Sequence, residues 1–176
     1  MGTDGKTVFT IGHGTRTGEE LVTSLVSAGV GTLVDVRRFP ASRRHPQFNR
    51  EELTASVEAA GIAHRHAEEL GGRRSGEPGE ERFACIRVAA FRSYAAGMGT
   101  APWQEALGAA LLEESPCFLC AETPWRCHRR LIAELLHARG HEVVHLLGAG
   151  EARPHRPWEI AEAREGRLYV CGELVA

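Results

Sequence analysis

The sequence predicts an α/β protein: a single domain over residues 1–176 with a mostly parallel sheet of about five strands, flanked by helices. Short apolar runs rich in β-branched residues alternate with helical patterns along the chain. A strand, a helix and a second strand follow one another at the spacing of a βαβ unit, which favours parallel pairing with a right-handed crossover. No linker, internal repeat or low-complexity stretch divides the chain.

The first βαβ unit lies at the start of the chain. Thr7–Ile11 predicts a strand. Thr17 followed three residues later by Glu20 has the spacing of a capping box, and apolar residues then recur at helical spacing until Gly29. Gly31–Val36 predicts a second, buried strand. These elements together account for the first crossover.

The middle of the chain is predicted to contain loops, helices and one short strand. Arg37–Phe48 has two prolines and no apolar period, which indicates a loop. The elements after it are a helix that begins at Asn49 and ends near Gly61, a strand over Ile62–His66, and helices over Glu80–Ala96 and Pro102–Glu114.

Chemically active side chains are crowded into Cys117–Gly140, which predicts a buried strand ending at Cys120, a polar turn and a helix. Thr123 is suited to cap that helix and Pro124 to its first position. A fifth strand over Glu142–Leu147, a helix over His155–Ala163, and an edge strand or hairpin over Arg167–Val175 complete the prediction.

Composition limits the binding partners and the cellular location that we expect for the protein. A formal net charge of −2 gives no overall attraction to nucleic acid or to an anionic membrane, and no apolar run reaches the length of a membrane span. The chain has five cysteines, an odd number, and it is long enough to be stable without disulfide bonds. We therefore expect no disulfide framework and a reduced, cytoplasmic location. Oligomeric state is not indicated.

Loops that follow the carboxyl ends of parallel strands gather at one edge of a sheet, where ligands bind. We therefore expect a site at that edge. The residues that the predicted strands bring there are His13, Asp35, Arg37, His66, Cys120 and Glu122.

Two of these residues are alternative reactive groups. Cys120 is followed after five residues by Arg126. This is the C-x5-R spacing of phosphatase-like loops, in which a low-pKa thiolate attacks a phosphate. Alternatively, Cys120 is a small buried residue at a strand end. Glu122 is a candidate general base or nucleophile, or else an acid that stabilises a helix dipole.

Two further residues complete the catalytic candidates. Asp35, followed by Arg37, is either a second catalytic acid or half of an internal ion pair. His13 lies between two glycines, which would let a ligand approach the backbone closely, so we include it as a catalytic candidate.

Helical projection orients the residues after the turn. At about 100° per residue, His128 falls on the inward face with Cys127 close beside it, whereas Arg129 turns toward the rim or solvent. Adjacent Cys127 and His128 cannot easily bind one ion, and Cys117 and Cys120 are predicted to face opposite sides of their strand. We therefore expect no metal and no cofactor.

The basic stretch Val36–Arg50 contains five arginines and a histidine but no acid. Arg37, Ser42 and Arg43 could hold phosphate groups, with an aromatic side chain such as Phe39 stacked on a base. The other expected substrate-binding residues are Arg126, Cys127, His128 and Arg129.

These residues resemble the domain of unknown function family 488, in order and spacing along nearly the whole chain. The resemblance implies a single-domain α/β fold and a shared site, and Gly14 stands where the family often has serine. The segments that carry the resemblance are Thr10-Ile11-Gly12-His13, Leu33-Val34-Asp35-Val36-Arg37, Pro40, Ser42, Arg43, Leu70-Gly71-Gly72, Cys120-Ala121-Glu122, Cys127-His128-Arg129 and Gly166-Arg167-Leu168.

The functional expectation is an enzyme, a hydrolase or transferase that acts on an anionic, phosphate-bearing substrate such as a nucleotide or nucleic acid. Two alternatives remain open at this point. One is a nucleic-acid-binding module without chemistry, and the other is a thiol redox or metal protein that uses Cys120 and Cys127.

Overall fold

A six-stranded sheet forms the centre of the fold in a computed structural model, which describes residues 5–72, 74–122 and 127–176. Five strands are parallel and the sixth, at one edge, is antiparallel, in the order β3-β2-β4-β1-β5-β6. This confirms the predicted α/β fold with a mostly parallel sheet. The strands are β1 Thr7–Gly12, β2 Thr32–Asp35, β3 Ala63–His66, β4 Pro116–Cys120, β5 Glu142–Gly148 and β6 Glu151–Pro154.

Helices cover both faces of this sheet. The bounds are α1 Gly18–Ser27, α2 Arg50–Ala59, α3 Ala89–Gly97, α4 Ala101–Leu111 and α5 Arg129–Ala138, with short 3₁₀ helices at Pro46–Phe48, Glu68–Leu70 and Glu80–Phe83. A smaller antiparallel sheet contains β7 Ala161–Arg164, β8 Arg167–Val170 and β9 Glu173–Leu174, which confirms a hairpin in the tail. No helix in the described ranges combines the length and the apolar character needed to cross a membrane.

Two hydrophobic clusters lie on opposite faces of the sheet. Leu21 of α1 and Leu53 of α2 belong to one cluster, while Trp103 of α4 and Leu131 of α5 belong to the other. Cys117 packs in the first cluster and Cys120 in the second, so the two thiols face opposite sides of β4, as the strand periodicity predicted. Because α1 and α5 cover different faces, the connections leaving β1 and β4 run in opposite directions.

The predicted capping box forms at α1. The Thr17 side chain accepts from the Glu20 amide at 3.1 Å, and the Thr17 amide donates to Glu20 Oε2 at 2.7 Å. Asn49 does not cap α2 with its side chain; its Oδ1 instead accepts from the Ser42 amide at 2.7 Å and fastens the arginine-rich loop to the helix.

Two predicted helices differ from the structure. The pattern over Glu80–Ala96 is split into a 3₁₀ helix and α3. The helix predicted over His155–Ala163 is wrong: this segment leaves the edge of the sheet and becomes β7. Pro157 disfavours helical backbone at the residue before it, and Ala161–Arg164 pairs with β8 in an antiparallel ladder.

The start of α5 also differs from the prediction. The helix begins at Arg129 with His128 at its N-cap. Thr123 and Pro124, expected to begin it, lie outside the described residues.

A chain of polar side chains connects β1, β5 and α5. Thr10 Oγ1 lies 2.6 Å from His145 Nδ1, and His145 Nε2 lies 2.9 Å from His155 Nδ1. His155 Nε2 lies 3.3 Å from Glu134 Oε1. Burial lowers the pKa of His145 to about 3, so this ring is neutral at pH 7.

One disulfide departs from the expectation drawn from the cysteine count. Cys85, between the Glu80–Phe83 3₁₀ helix and α3, is bonded to Cys171 beyond β8, with the two Cα atoms 6.1 Å apart. Their 86-residue separation leaves no local signal in the sequence. Cys117, Cys120 and Cys127 are free thiols.

We expect Thr17→Ala to lower the free energy of unfolding by about 1 kcal/mol, because the Glu20 amide loses its side-chain acceptor. Urea denaturation measures this change. Thr23→Ala, at an exposed position inside α1, is the matched control and should stay within about 0.5 kcal/mol of the parent protein. Equal stability of the two variants would contradict a stabilising cap.

Candidate functional site

A pocket of about 770 Å³ opens where β1 and β4 end. These neighbouring strands send their connections to opposite faces, and such a reversal in a parallel sheet leaves a crevice at the carboxyl ends. The pocket is lined by His13, Gly14, Thr15, Arg37, Arg38, Phe39, Ala41, Ser42, Arg44, His45, Gly72, Ala90, Phe91, Cys120, Ala121, Glu122, Cys127 and His128.

The loops after β1 and β4 are held together by their backbones. The His13 amide donates to the Cys120 carbonyl at 3.0 Å, and the Gly14 amide donates to the Ala121 carbonyl at 3.1 Å. The Glu122 carbonyl lies so close to Gly12 that a Cβ there would clash with it. Glycine is therefore required at position 12 for the two loops to meet.

Two thiols lie together in the pocket wall. Cys120 Sγ is 3.1 Å from Cys127 Sγ, and both residues are buried. The hydrogen bond from Cys120, helped by the charge of Arg129, lowers the pKa of Cys127 to about 7. The same bond, together with burial, raises the pKa of Cys120. The proton therefore stays on Cys120 and the thiolate forms on Cys127, the reverse of the roles expected from the sequence.

Arg129 lies behind the thiols and does not line the pocket. Its side chain is 1% exposed, and Nη2 donates to the Glu122 carbonyl at 3.3 Å. The prediction that Arg129 turns toward the rim or solvent is wrong, because the loops that carry Gly12 and the Glu122 carbonyl cover its guanidinium. Its position supports the turn and the thiolate rather than a substrate.

Two neutral imidazoles line the pocket. The ring of His13 stacks on Phe48 at 4.4 Å between centroids, and its Nδ1 lies 3.0 Å from the Gly14 carbonyl oxygen. A carbonyl only accepts, so Nδ1 carries the proton and Nε2 is free to act as a base. Burial lowers the pKa of His13 to about 4.

The other imidazole, His128, packs against Tyr94 at 5.0 Å between ring centroids. Burial, followed by the charge of Arg129, lowers its pKa to about 4. Its Nε2 is buried and makes no hydrogen bond within the described part of the chain. Gly72 lies directly against the ring, since a Cβ there would be 2.6 Å from His128 Nδ1.

Asp35 and Arg37 form an internal ion pair, one of the two readings left open by the sequence. Arg37 Nε donates to Asp35 Oδ1 at 2.9 Å and Nη2 donates to Oδ2 at 2.6 Å, while Nη2 also reaches the Phe48 carbonyl at 2.8 Å. Asp35 is fully buried and does not line the pocket, although Arg37 does. The carboxylate thus orients the arginine instead of facing a substrate.

The arginine-rich loop contributes a different set of residues from the one expected. Ser42 lines the pocket, and its Oγ accepts from the His45 amide at 3.0 Å. Arg43 is exposed and does not line the pocket, whereas its neighbour Arg44 does. Sequence reasoning did not single out Arg38, Arg44, His45 and Phe91 as site residues, and only the density of arginines marked this stretch.

The remaining site residues have different positions. Glu122 lines the pocket with an exposed side chain. His66, expected at the same edge, binds the Arg37 carbonyl through Nε2 at 2.7 Å and does not reach the pocket lining. Arg126, the distal arginine of the C-x5-R spacing, lies outside the described residues. Among the described residues, no group of three or more His, Cys, Asp or Glu could hold a metal ion.

Comparison with known proteins gives one match. The model of the family described as domain of unknown function DUF488 matches residues 17–136, which confirms the resemblance noted in the sequence. The matched region contains the thiol pair, His128 and Arg129, and it begins after His13. No curated protein and no solved structure matches the chain.

The alkylation rate of Cys127 should rise with pH around a midpoint of about 7, because only the thiolate reacts. Iodoacetamide labelling followed by peptide mass mapping measures this rate for each cysteine. Cys120→Ala removes the largest cause of the lowered pKa and should move the midpoint upward. Cys117→Ala is the control and should leave it unchanged. A midpoint near the ordinary thiol value of 9 in the parent protein would contradict the described electrostatics.

Proposed function

Since the chain belongs to the DUF488 family, we propose a function from its pocket: an enzyme, a hydrolase or transferase, that acts on a phosphate-bearing substrate such as a nucleotide or nucleic acid. The observation that carries this proposal is Cys127, a thiol with a pKa of about 7 in a pocket lined by three arginines. A thiolate at neutral pH is a strong nucleophile, and guanidinium groups bind phosphate oxygens.

The lining supports an anionic substrate. Arg38 and Arg44 contribute positive charge, with Glu122 as the one carboxylate among the described lining residues, while the charge of Arg37 is paired with Asp35. Arg37 is held rigidly by Asp35, so it loses little freedom when a phosphate binds. Both pocket histidines with lowered pKa values are neutral, and an adjacent phosphate would stabilise their protonated forms.

In the proposed reaction the Cys127 thiolate attacks phosphorus, an S–P bond forms, and the bond from phosphorus to the leaving oxygen breaks. The leaving group takes a proton from water. Water, or an acceptor hydroxyl, then attacks phosphorus and breaks the S–P bond, and the Glu122 carboxylate or Nε2 of His13 accepts its proton and releases it to solvent. The thiolate and the base are both regenerated, so atoms and charges balance over the cycle.

Cys120, Arg129 and Asp35 have supporting roles in this proposal. Cys120 donates the hydrogen bond that stabilises the thiolate, and Arg129 adds positive charge behind it. We also propose a cytoplasmic location, where reducing conditions would keep the Cys120 and Cys127 thiols free. The Cys85–Cys171 disulfide does not line the pocket, so the proposed chemistry does not depend on it.

Cys127→Ser should lower kcat on the order of a thousandfold or more, because the hydroxyl is not ionised at neutral pH. Phosphate release from p-nitrophenyl phosphate, nucleoside triphosphates and a 5′-phosphorylated oligonucleotide measures turnover and screens the substrate class. Cys117→Ala changes a thiol on the opposite face of β4 and should keep kcat. Parent-like turnover by Cys127→Ser would exclude the thiol nucleophile.

Glu122→Gln should lower kcat by about 10²- to 10⁴-fold on the same substrate while the protein stays folded, since an amide cannot accept the proton of the attacking water. Glu81→Gln, at an exposed position outside the pocket lining, is the matched control. Circular dichroism checks the fold of both variants. Unchanged turnover in Glu122→Gln would remove this carboxylate from the mechanism.

A binding module without chemistry is the second candidate. It is favoured by Phe39, a pocket-lining ring that is 63% exposed, with the Arg38 guanidinium 5.8 Å from its centroid. Such a pair can stack a base and hold its phosphate. The module predicts binding of a labelled single-stranded oligonucleotide that weakens steeply with salt, and no product after long incubation. Salt-insensitive binding would count against it.

A further inference from the structure

We propose that Cys120 and Cys127 form a peroxide-responsive pair, in which oxidation of Cys127 is captured by Cys120 as a disulfide that closes the site reversibly. This inference deepens the proposed function, on which it rests for the loss of turnover. Its chemistry rests on the geometry of the two thiols.

The distance between the sulfurs is the first support. The two Sγ atoms are 3.1 Å apart, and a disulfide bond is about 2 Å long, so an approach of about 1 Å is sufficient. Both residues line the pocket, which gives a small oxidant a route to buried sulfur. The Sγ atoms already face one another across the end of β4.

The difference between the two thiols sets the order of events. Cys127 carries the thiolate, stabilised by Cys120 and by the buried Arg129, and peroxides react with thiolates. In the first step the thiolate attacks one oxygen of hydrogen peroxide, the O–O bond breaks, and Cys127 sulfenic acid and hydroxide form. In the second, Cys120 sulfur attacks the sulfenic sulfur, its proton and the sulfenic OH leave as water, and the disulfide is complete.

The other cysteines are excluded as partners. All five lie in the described part of the chain. Cys117 faces the opposite hydrophobic cluster, and burial raises its pKa. Cys85 and Cys171 are bonded to each other. Cys120 is therefore the resolving thiol, and without it a sulfenic acid at Cys127 would be open to further, irreversible oxidation.

The test treats the folded full-length protein with one equivalent of hydrogen peroxide, followed by blocking of free thiols and peptide mass mapping. We expect a peptide linking Cys120 to Cys127, a mass lower by two hydrogens, and recovery of both thiols with dithiothreitol. In Cys120→Ser, whose hydroxyl can still donate to the Cys127 thiolate but cannot form a disulfide, dimedone should trap a sulfenic acid at Cys127, and excess peroxide should add further oxygens that dithiothreitol does not remove. Cys117→Ala should still form the linked peptide.

Sulfinic acid at Cys127 in the parent protein without linkage to Cys120, or linkage of Cys127 to Cys117, would overturn the inference. Turnover is measured on the same samples and separates this inference from the proposed function. A Cys120–Cys127 disulfide with unchanged turnover would support the peroxide chemistry and refute Cys127 as the nucleophile. Loss of turnover that returns with dithiothreitol would support both.

Discussion

The buried guanidinium of Arg129 is the group on which the site depends. A fully buried charge is costly unless it has partners, and those of the Arg129 side chain include the Glu122 carbonyl and the Cys127 thiol. A thiolate on Cys127 offsets that cost, because it places the opposite charge nearby. The pKa of Cys127 is thus tied to the position of the first residue of α5, and that residue is fixed by packing of the helix against the sheet.

A second constraint is the backbone contact between the loops that follow β1 and β4. Strand order puts these strands side by side, and the reversal of their connections opens the crevice between them. The backbone bonds of His13 and Gly14 to the other loop then fix the distance between the two walls. Side chains far apart in the chain meet here because backbone hydrogen bonds, rather than side-chain contacts, determine how the walls fit together.

Much of this arrangement could be predicted from the sequence, and the failures have local causes. Hydrophobic periodicity and caps were sufficient for β1 to β5, for α1 and for the edge at which His13, Cys120 and Glu122 gather. Periodicity could not show that the loops carrying Gly12 and the Glu122 carbonyl cover the guanidinium of Arg129, so the predicted exposure of this residue was wrong. The helix predicted over His155–Ala163 failed because the end of that segment pairs with β8 instead, a partner that no local pattern specifies. The close pairing of Cys120 with Cys127 also depends on the turn between them, whose path no local pattern specifies.

The buried imidazoles have a consequence for tolerance of acid. His13, His128 and His145 all have pKa values depressed by burial, to about 4, 4 and 3, whereas a histidine in an unfolded chain titrates near 6.5. Between about pH 4 and pH 6.5 the unfolded chain binds protons that the native protein does not bind. The contribution of these histidines to the free energy of unfolding is therefore complete above pH 6.5 and is lost as the pH falls toward 4. Mild acidification, from pH 6.5 toward 4, is therefore sufficient to weaken this fold.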